Sequence, residues 1–423
     1  MQINKQLKPL GIVLGAGLVI KFTVIVIAAL LLTGDHPWVG HIINDIWLWI
    51  DPWRLGQEGK VPYVDFTREY PVGAGLLYWL MTPFIDLTEG NWKSILFTHS
   101  LFMAIADVVN GGILYIILAK INPARAWWLS LLFLLTPTAL LLTPMRFESY
   151  LVTPILLGYL CYQNQKPLWA TFWWSLGCWL KFFPVFFIIA QELRTYLIEK
   201  KRNQWYKAIA IFVGVALMIN LPLIFLCILK NGNLDNWLHP YRFWANRSIT
   251  FDTVLGVQVL WLGGEPNIGL ANQVTAVLLG ASLILRRDLG VAPKGIVFCV
   301  ALLFLNRIYS PQHNLWFYPF LLVLIAEARS GFYFYLGTYL LMDFLNVIVF
   351  PFGFTYAIVE MGRDNQNAFE ALAAKNRGGI WTYLFSLAIL LRALLLLILG
   401  IKILSDRTNH KGPEQPLQLE LDL

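Results

Sequence analysis

The stretch LGIVLGAGLVIKFTVIVIAALLLT, residues 10–33, decides the class of fold, because Lys21 is its only charged residue. This apolar run of about 23 residues matches the roughly 20 that a helix needs to cross the hydrocarbon core of a bilayer. Lys5 and Lys8 precede it, and no cleavage site of small residues follows it. We therefore expect an uncleaved first transmembrane helix rather than a signal peptide.

Similar runs recur along the whole chain. Hydrophobic residues make up 58% of the 423 residues and charged residues 13%, whereas soluble domains average about 45–50% apolar and about 25% charged. The apolar runs lie at about 10–33, 94–119, 126–143, 149–163, 168–183, 184–199, 208–229, 268–285, 293–308, 313–327, 331–350 and 379–403. We predict an all-α polytopic membrane protein with about 12 transmembrane helices and no separate soluble domain.

A shorter apolar run at about 71–87 contains two prolines and two glycines, so we predict an interfacial or re-entrant helix there rather than a crossing. This choice places the N-terminus and a short tail, 406–423, in the cytoplasm, and it makes 1–405 one transmembrane domain. Lys and Arg then collect in the predicted cytoplasmic segments, as the positive-inside rule requires. The predicted external loops lie at about 34–93, 230–267 and 351–378.

Motifs that the sequence lacks argue against several classes of function. It has no Walker loop, GxGxxG, HExxH or CxxC motif, which disfavours an ATP-driven pump, a nucleotide-cofactor oxidoreductase and a zinc peptidase. The net charge of +7 is spread over short loops between apolar runs, so membrane topology explains it better than binding to nucleic acid does. We expect neither a cofactor nor a metal.

The first predicted external loop concentrates ionisable residues: Asp35, Asp45, Asp51, Glu58, Asp65 and Glu69, with Arg54, Lys60 and Arg68. Such a cluster just outside a bilayer is suited to bind or deprotonate a polar substrate that a lipid delivers. The alternative is a solvated amphipathic loop whose charges have no individual role. Both interpretations stay open from the residues alone.

Further candidates lie near the ends of predicted spans on the same face. Lys181 stands among aromatic residues, where a cation is costly unless it has an anionic partner or reaches the interface. Glu148 is suited to accept a hydrogen bond from a polar ligand or to pair with Arg146. His313, beside Gln312, is suited to bind phosphate or move a proton, although a structural role is the common one for a lone histidine.

Several short motifs follow one another along the chain between residues 45 and 316. The first loop carries Asp45, then GKVPYVDF at 59–66 and EYP at 69–71; later come MRFESY at 145–150, LKFFP at 180–184 and RIYSPQHNLW at 307–316. In this order they resemble glycosyltransferase family 87, the polytopic mannosyltransferase-like enzymes of the GT-C superfamily. The chain departs from the family pattern at Val72, where a second proline is usual, and at Trp47 or Trp49 and His313, where a tyrosine is usual.

The resemblance implies a GT-C-like hexosyltransferase that moves mannose from a polyprenyl phosphate carrier to a lipid or glycan acceptor. It implies an inverting displacement on the non-cytoplasmic face of a bacterial plasma membrane, with Asp45 as catalytic base and Asp35 and Asp51 as acidic alternatives. Cations must stabilise the departing phosphate, and the candidates are Lys181, Arg307, Arg68, Arg146 and Arg247. Candidates for binding the sugar or the acceptor are Asp65, Glu69, Glu148, Gln312 and His313.

Other functions remain open from the sequence. Asp107 and Asp343 lie inside apolar spans, where they indicate either hydrogen bonds between helices or an ion route. An ion route would fit a transporter or flippase of a lipid-linked or small polar substrate. The external cluster also fits a polymerase or ligase of surface polysaccharide, and the departures from the family pattern fit a non-catalytic partner.

Overall fold

The computed structural model describes residues 2–31, 44–88, 92–142, 146–247, 249–250, 252–262, 267–286, 288–353 and 380–406. Within these ranges the chain is helical and contains no strand, apart from an isolated bridge between Pro62 and Phe66. The predicted all-α class is therefore confirmed. Most of the predicted loop at 351–378 and of the tail at 406–423 lies outside the described residues.

The described α-helices are, in chain order, α1 (Gln2–Leu31), α2 (Asn44–Gln57), α3 (Val72–Met81), α4 (Trp92–Ile121), α5 (Pro123–Leu135), α6 (Pro137–Leu142), α7 (Glu148–Gln163), α8 (Pro167–Cys178), α9 (Val185–Leu193), α10 (Arg202–Asn231), α11 (Asp235–Asn246), α12 (Val254–Leu262), α13 (Ile268–Ile284), α14 (Val291–Leu303), α15 (Tyr318–Glu327), α16 (Phe332–Val347) and α17 (Ile380–Ser405). Short 3-10 turns lie at Thr82–Phe84 and Pro311–Trp316, and π turns at Arg194–Ile198 and Ile348–Gly353. Prolines set several of these bounds, because a proline at the first position of a helix has no amide hydrogen to leave unpaired. Pro137 in this way divides the run 126–143 into α5 and α6.

Five of the described helices are long and apolar enough to cross a bilayer: Leu7–Leu30, Lys93–Ile121, Arg202–Asn231, Phe332–Phe350 and Thr382–Ser405. Shorter apolar helices accompany them: Val72–Phe84, Pro123–Leu135, Ile268–Ile284, Val291–Leu303 and Tyr318–Glu327. This set of helices indicates a multi-pass membrane protein. The remaining predicted spans hold shorter helices, such as α9 with 9 residues and α13 with 17. The count of about twelve crossings therefore stays a prediction.

Two helices form most of the described part of the first loop. α2 packs on α3, where Trp53 Nε1 donates to the carbonyl of Tyr78 at 3.0 Å and Gln57 Nε2 donates to that of Ile85 at 2.9 Å. α3 has 10 residues, about 15 Å at 1.5 Å per residue, whereas the hydrocarbon core is about 30 Å thick. The helix in the run at 71–87 is therefore short, as are several helices in predicted spans, and its assignment as a non-crossing element stays a prediction.

A buried ion pair joins the first two long helices. Lys21 of α1 and Asp107 of α4 bond to each other, and their side chains are 0% and 1% exposed. Lys21 Nζ also donates to the carbonyl of Ala139 in α6 at 2.7 Å. Lys21 is therefore an interhelical residue, since its ammonium group is satisfied inside the protein.

Asp343, the second acid inside an apolar run, has protein partners as well. Its carboxylate accepts a hydrogen bond from the backbone amide of Thr138 at 3.4 Å, near the start of α6. One turn further along α16, Asn346 donates to Thr138 Oγ1 at 3.4 Å. These contacts hold α16 on α6, whereas the other carboxylate oxygen of Asp343, Oδ1, is buried and has no hydrogen-bond partner among the described residues.

We predict that Asp107→Leu lowers the free energy of unfolding by about 3–5 kcal/mol, because the buried ammonium group of Lys21 then loses its carboxylate. The double variant Lys21→Met/Asp107→Leu removes both charges and is expected to recover most of that loss. Thermal unfolding of the purified protein in detergent measures both variants. Equal Tm values for the wild type and Asp107→Leu would contradict a stabilising pair.

Candidate active site

A second buried ion pair lies at the centre of the candidate site. Glu148 is the first residue of α7, and Lys181 lies in the turn between α8 and α9. Their side chains bond to each other and are 1% and 12% exposed. Oε1 of Glu148 makes this bond, whereas its buried Oε2 has no hydrogen-bond partner among the described residues. Because an unpaired buried carboxylate oxygen is costly, this atom is suited to accept a hydrogen bond from a ligand.

Aromatic rings surround the ammonium group of Lys181. Its Nζ lies 4.9 Å from the ring centre of Phe147 and 5.3 Å from that of Trp316. The Trp316 ring packs on Phe183, with ring centres 4.8 Å apart, and on His313, with ring centres 4.3 Å apart. Trp316 Nε1 and His313 Nδ1 are buried and have no hydrogen-bond partner among the described residues. The aromatic wall therefore presents polar atoms that a ligand can satisfy.

Further cations lie around this pair. Arg146 is 8% exposed, and burial lowers its pKa to about 10, so that it remains a cation at neutral pH. The guanidinium of Arg247 lies 4.8 Å from the ring centre of Trp244. The charges of Arg146, Arg247 and Lys181 are all close enough to act on His313. A site with this excess of positive charge suits an anionic ligand.

The first loop contributes Tyr70 to the same place. Its ring centre lies 5.3 Å from that of Phe147 and 5.4 Å from that of Trp49. The carbonyl of the preceding residue, Glu69, accepts a hydrogen bond from Trp244 Nε1 at 2.6 Å. The EYP segment of the first loop thus contacts both the segment before α7 and helix α11.

Backbone contacts fix α3 to the turn that carries the central lysine. The amide of Gly73 donates to the carbonyl of Trp179 at 2.7 Å. A Cβ atom at position 73 would lie 2.5 Å from that oxygen, so only glycine permits this approach. Beside it, the hydroxyl of Tyr63 donates to the carbonyls of Tyr70 and Pro71 at 2.8 and 2.9 Å. The first loop and the lysine turn therefore form one continuous wall.

Arg307, a predicted phosphate ligand, donates to backbone carbonyls. Its Nη1 donates to the carbonyls of Arg247 at 3.1 Å and Ala245 at 3.4 Å. The carbonyl of Arg307 in turn accepts from the amide of Thr250 at 2.9 Å. Arg307 therefore positions the segment that carries Arg247, and its donors are engaged by the protein.

Arg392 of α17 ties that segment to the rest of the site. Its side chain is fully buried, and its Nη2 donates to the carbonyls of Asp252 at 2.6 Å and Tyr309 at 2.8 Å. Its Nη1 donates to Asn346 Oδ1 at 3.1 Å. The guanidinium thus joins three parts of the chain around the 3-10 turn that carries His313.

Asp65, a predicted ligand of sugar or acceptor, joins the first loop to α10. It accepts from the amide of Val61 at 2.8 Å and from Lys230 Nζ at 3.0 Å. Burial alone would raise the pKa of Asp65, but these two hydrogen bonds and the Lys230 charge outweigh it and hold the pKa below its usual value. Its contacts are therefore those of a structural carboxylate.

Two other predicted residues of the first loop also have partners of their own. Arg68 donates to the carbonyl of Leu48 at 2.8 Å, and its guanidinium lies 4.4 Å from the ring centre of Trp49. Asp51 is 82% exposed and pairs with Arg54, three positions along α2. Neither contact directs the charged group to the Lys181 pair.

The predicted base, Asp45, lies in the first turn of α2, but its side chain and the whole of Asp35 lie outside the described residues. Gln312 is buried next to His313 in the 3-10 turn. The structure therefore brings five of the predicted residues to one place: Arg146, Glu148, Lys181, Arg247 and His313. Glu69 contributes its backbone carbonyl nearby.

Sequence analysis missed Arg392 and Trp244. A usable signal existed for Arg392, because an arginine inside the apolar run LLRALLL obeys the same rule that singled out Asp107. For Trp244 there was none, because one tryptophan among many in an aromatic-rich chain does not stand out. Its role follows from the fold, which places α11 against the first loop.

We predict that Asp65→Asn lowers the Tm at pH 7 and has a smaller effect at pH 3. Because the pKa of Asp65 is lower in the folded protein, its contribution to stability is present above the unfolded value of about 3.9 and is lost as the pH falls through the folded value. Thermal unfolding at both pH values measures this. Glu58→Gln removes an exposed acid and is the matched control; an equal effect of Asp65→Asn at both pH values would contradict the prediction.

Comparison of the chain with protein-family models, with curated proteins and with solved structures found no match. The resemblance to glycosyltransferase family 87 therefore rests on the ordered stretches of sequence. Function has to be argued from the residues that the fold brings together.

Proposed function

We propose that the protein is a membrane glycosyltransferase that moves a hexose from a polyprenyl phosphate carrier to a lipid or glycan acceptor. The observation that carries this proposal is the convergence of Lys181, Arg146 and Arg247 beside the buried carboxylate of Glu148. Lys181, Arg146 and Glu148 also belong to stretches on which the family resemblance rests. The choice of mannose, and the count of about twelve crossings in a GT-C-like fold, rest on the sequence.

The cations suit the leaving group of such a transfer. The bond between the anomeric carbon and the phosphate oxygen breaks, and its electron pair stays with the phosphate, which gains a negative charge. Cations that are already fixed beside this oxygen stabilise the charge as it develops. Lys181 and Arg247 are the proposed phosphate ligands, and Arg146 adds its charge. Arg307 and Arg68, which each donate to at least one backbone carbonyl, are given positioning roles.

The acceptor side of the reaction needs a base and groups that orient the sugar. The family resemblance gives Asp45 as the base that takes the acceptor proton, after which the acceptor oxygen attacks the anomeric carbon opposite the phosphate and inverts it. Oε2 of Glu148 is proposed to accept a hydrogen bond from a sugar hydroxyl, because it is buried and unsatisfied among the described residues. By the distribution of Lys and Arg, this site faces away from the cytoplasm.

The alternative of a transporter or flippase loses part of its support. It depended on Asp107 and Asp343 as unexplained acids inside apolar spans. Lys21 pairs with Asp107, and Thr138 donates to Oδ2 of Asp343, but Oδ1 of Asp343 is buried without a hydrogen-bond partner among the described residues. A transferase site at the Lys181–Glu148 pair explains more of the charged residues than a transporter does.

We expect Lys181→Met to lower transfer of radiolabelled mannose from polyprenyl phosphate mannose by about 100-fold or more, because the developing phosphate charge loses a fixed cation. The assay uses membranes that contain matched amounts of each variant and follows label into lipid or glycan. Arg242→Gln, which removes an exposed cation paired with Asp235 in α11, is the control and should retain activity. Full activity of Lys181→Met would remove the phosphate role, and no transfer by the wild type would overturn the proposed donor.

The same assay tests the base. We expect Asp45→Ala to abolish transfer and Asp51→Ala to leave it nearly unchanged, because the Asp51 carboxylate is exposed and paired with Arg54. The two variants remove the same group from one helix, six positions apart. Loss of activity in Asp51→Ala alone would reverse the assignment, and full activity of Asp45→Ala would exclude it as the base.

A further inference from the structure

A groove lies between α9 and α10. This cavity of about 230 Å³ is lined by Val185, Ile188, Ile189 and Glu192 from α9 and by Trp205, Ala208, Ile209 and Phe212 from α10. On each helix the lining positions follow the spacing i, i+3, i+4 and i+7, which is one face of a helix. Apart from Glu192, every lining side chain is apolar or aromatic. The groove is therefore a furrow between two adjacent helix faces.

One end of this groove, its polar end, lies next to the charged connection between the two helices, although the groove surface itself is almost wholly apolar. α9 and α10 follow each other through a π turn and a short loop, so they run antiparallel. Glu192 and Trp205 lie at the end next to this connection, whereas Val185 and Phe212 lie seven positions away, about 10 Å along the helices. The groove thus leads from its polar end into an apolar interior. A lipid has the same order, with a polar headgroup followed by an apolar acyl chain.

Basic side chains collect at the polar end. The connection and the first turns of α10 carry Arg194, Lys200, Lys201, Arg202 and Lys207. Glu199 pairs with Arg194 at 3.4 Å and with Lys201 at 2.9 Å. Lys200, where the chain turns with φ 55°, and Arg202 are exposed and form no ion pair within the described part of the chain. Positive charge therefore remains available for an anionic headgroup.

Glu192 offers an acceptor beside these cations. Its Oε1 accepts from Gln191 Nε2 at 2.7 Å and from Thr171 Oγ1 at 3.5 Å. Its Oε2 is buried and has no hydrogen-bond partner among the residues that the structure describes. A buried carboxylate oxygen is costly without a donor, and Glu192 is one of the residues that line the groove.

We propose that this groove binds an anionic phospholipid with a hydroxylated headgroup, of the phosphatidylglycerol type. One acyl chain lies along the apolar faces, the phosphate lies at Lys200 and Arg202, and a headgroup hydroxyl donates to Oε2 of Glu192. Charge complementarity selects this occupant, because clustered Lys and Arg attract anionic lipids. The proposal does not depend on the proposed transferase activity, since it concerns different residues.

The test is lipid binding to the purified protein in detergent, counted by native mass spectrometry during titration with phosphatidylglycerol. We expect phosphatidylglycerol to bind at least about tenfold more tightly than phosphatidylcholine, and Lys200→Gln/Arg202→Gln to remove most of that difference. Arg329→Gln, which removes an exposed cation from another loop, should leave it unchanged. Ile209→Trp, at a partly exposed lining position, should weaken binding by filling the groove.

A second comparison tests the role of Glu192. Glu192→Leu is expected to weaken binding of phosphatidylglycerol but not of phosphatidic acid, which has no headgroup glycerol. Equal affinity of the wild type for phosphatidylglycerol and phosphatidylcholine would overturn the proposal, as would unchanged binding in the Lys200→Gln/Arg202→Gln variant. Tighter binding of phosphatidylethanolamine than of phosphatidylglycerol would overturn the proposed headgroup, because the groove would then select an ammonium headgroup over a hydroxylated anionic one.

Discussion

A charge that leaves water for a bilayer must be met by another group of the protein, and this constraint organises the structure. Lys21 meets Asp107 between two long helices. Lys181 meets Glu148 between a loop and the start of α7. Arg392, deep in α17, meets backbone carbonyls from two distant segments. Each contact fixes the relative position of elements that apolar packing alone would allow to slide.

These contacts differ in whether they leave buried polar atoms without hydrogen-bond partners. This difference distinguishes structural contacts from the candidate site. Lys21 shares its protons between the Asp107 carboxylate and a carbonyl of α6. The Glu148 pair keeps a buried oxygen without a donor, and nitrogens of Trp316 and His313 beside it are unsatisfied within the described ranges. Several buried polar atoms without hydrogen-bond partners, grouped within one aromatic wall, indicate a ligand-binding site. An ion pair whose hydrogen bonds are satisfied indicates a structural contact between helices.

The sequence predicted the helical class because long apolar runs leave no other fold in a bilayer, and it predicted that Lys181 either has an anionic partner or reaches the interface. It did not predict that Glu148 is that partner, since residues 33 positions apart meet only through the packing of α7 on α8. For the same reason it did not predict that Asp65 bonds to Lys230 or that Arg307 donates to the carbonyl of Arg247. Charge can be read along the chain, but the partner of a charge depends on the fold.

The close approach of Gly73 to Trp179 has a consequence for the proposed lipid substrate. The backbone of α3 is hydrogen-bonded there to the turn that carries Lys181, with no room for even a methyl group between them. Under the proposed function, a lipid carrier whose tail remains in the bilayer does not pass between these two backbones. Its lateral path to Lys181 then opens on a different side of the aromatic rings around Lys181, and the Gly73 contact is the closed side of that entrance.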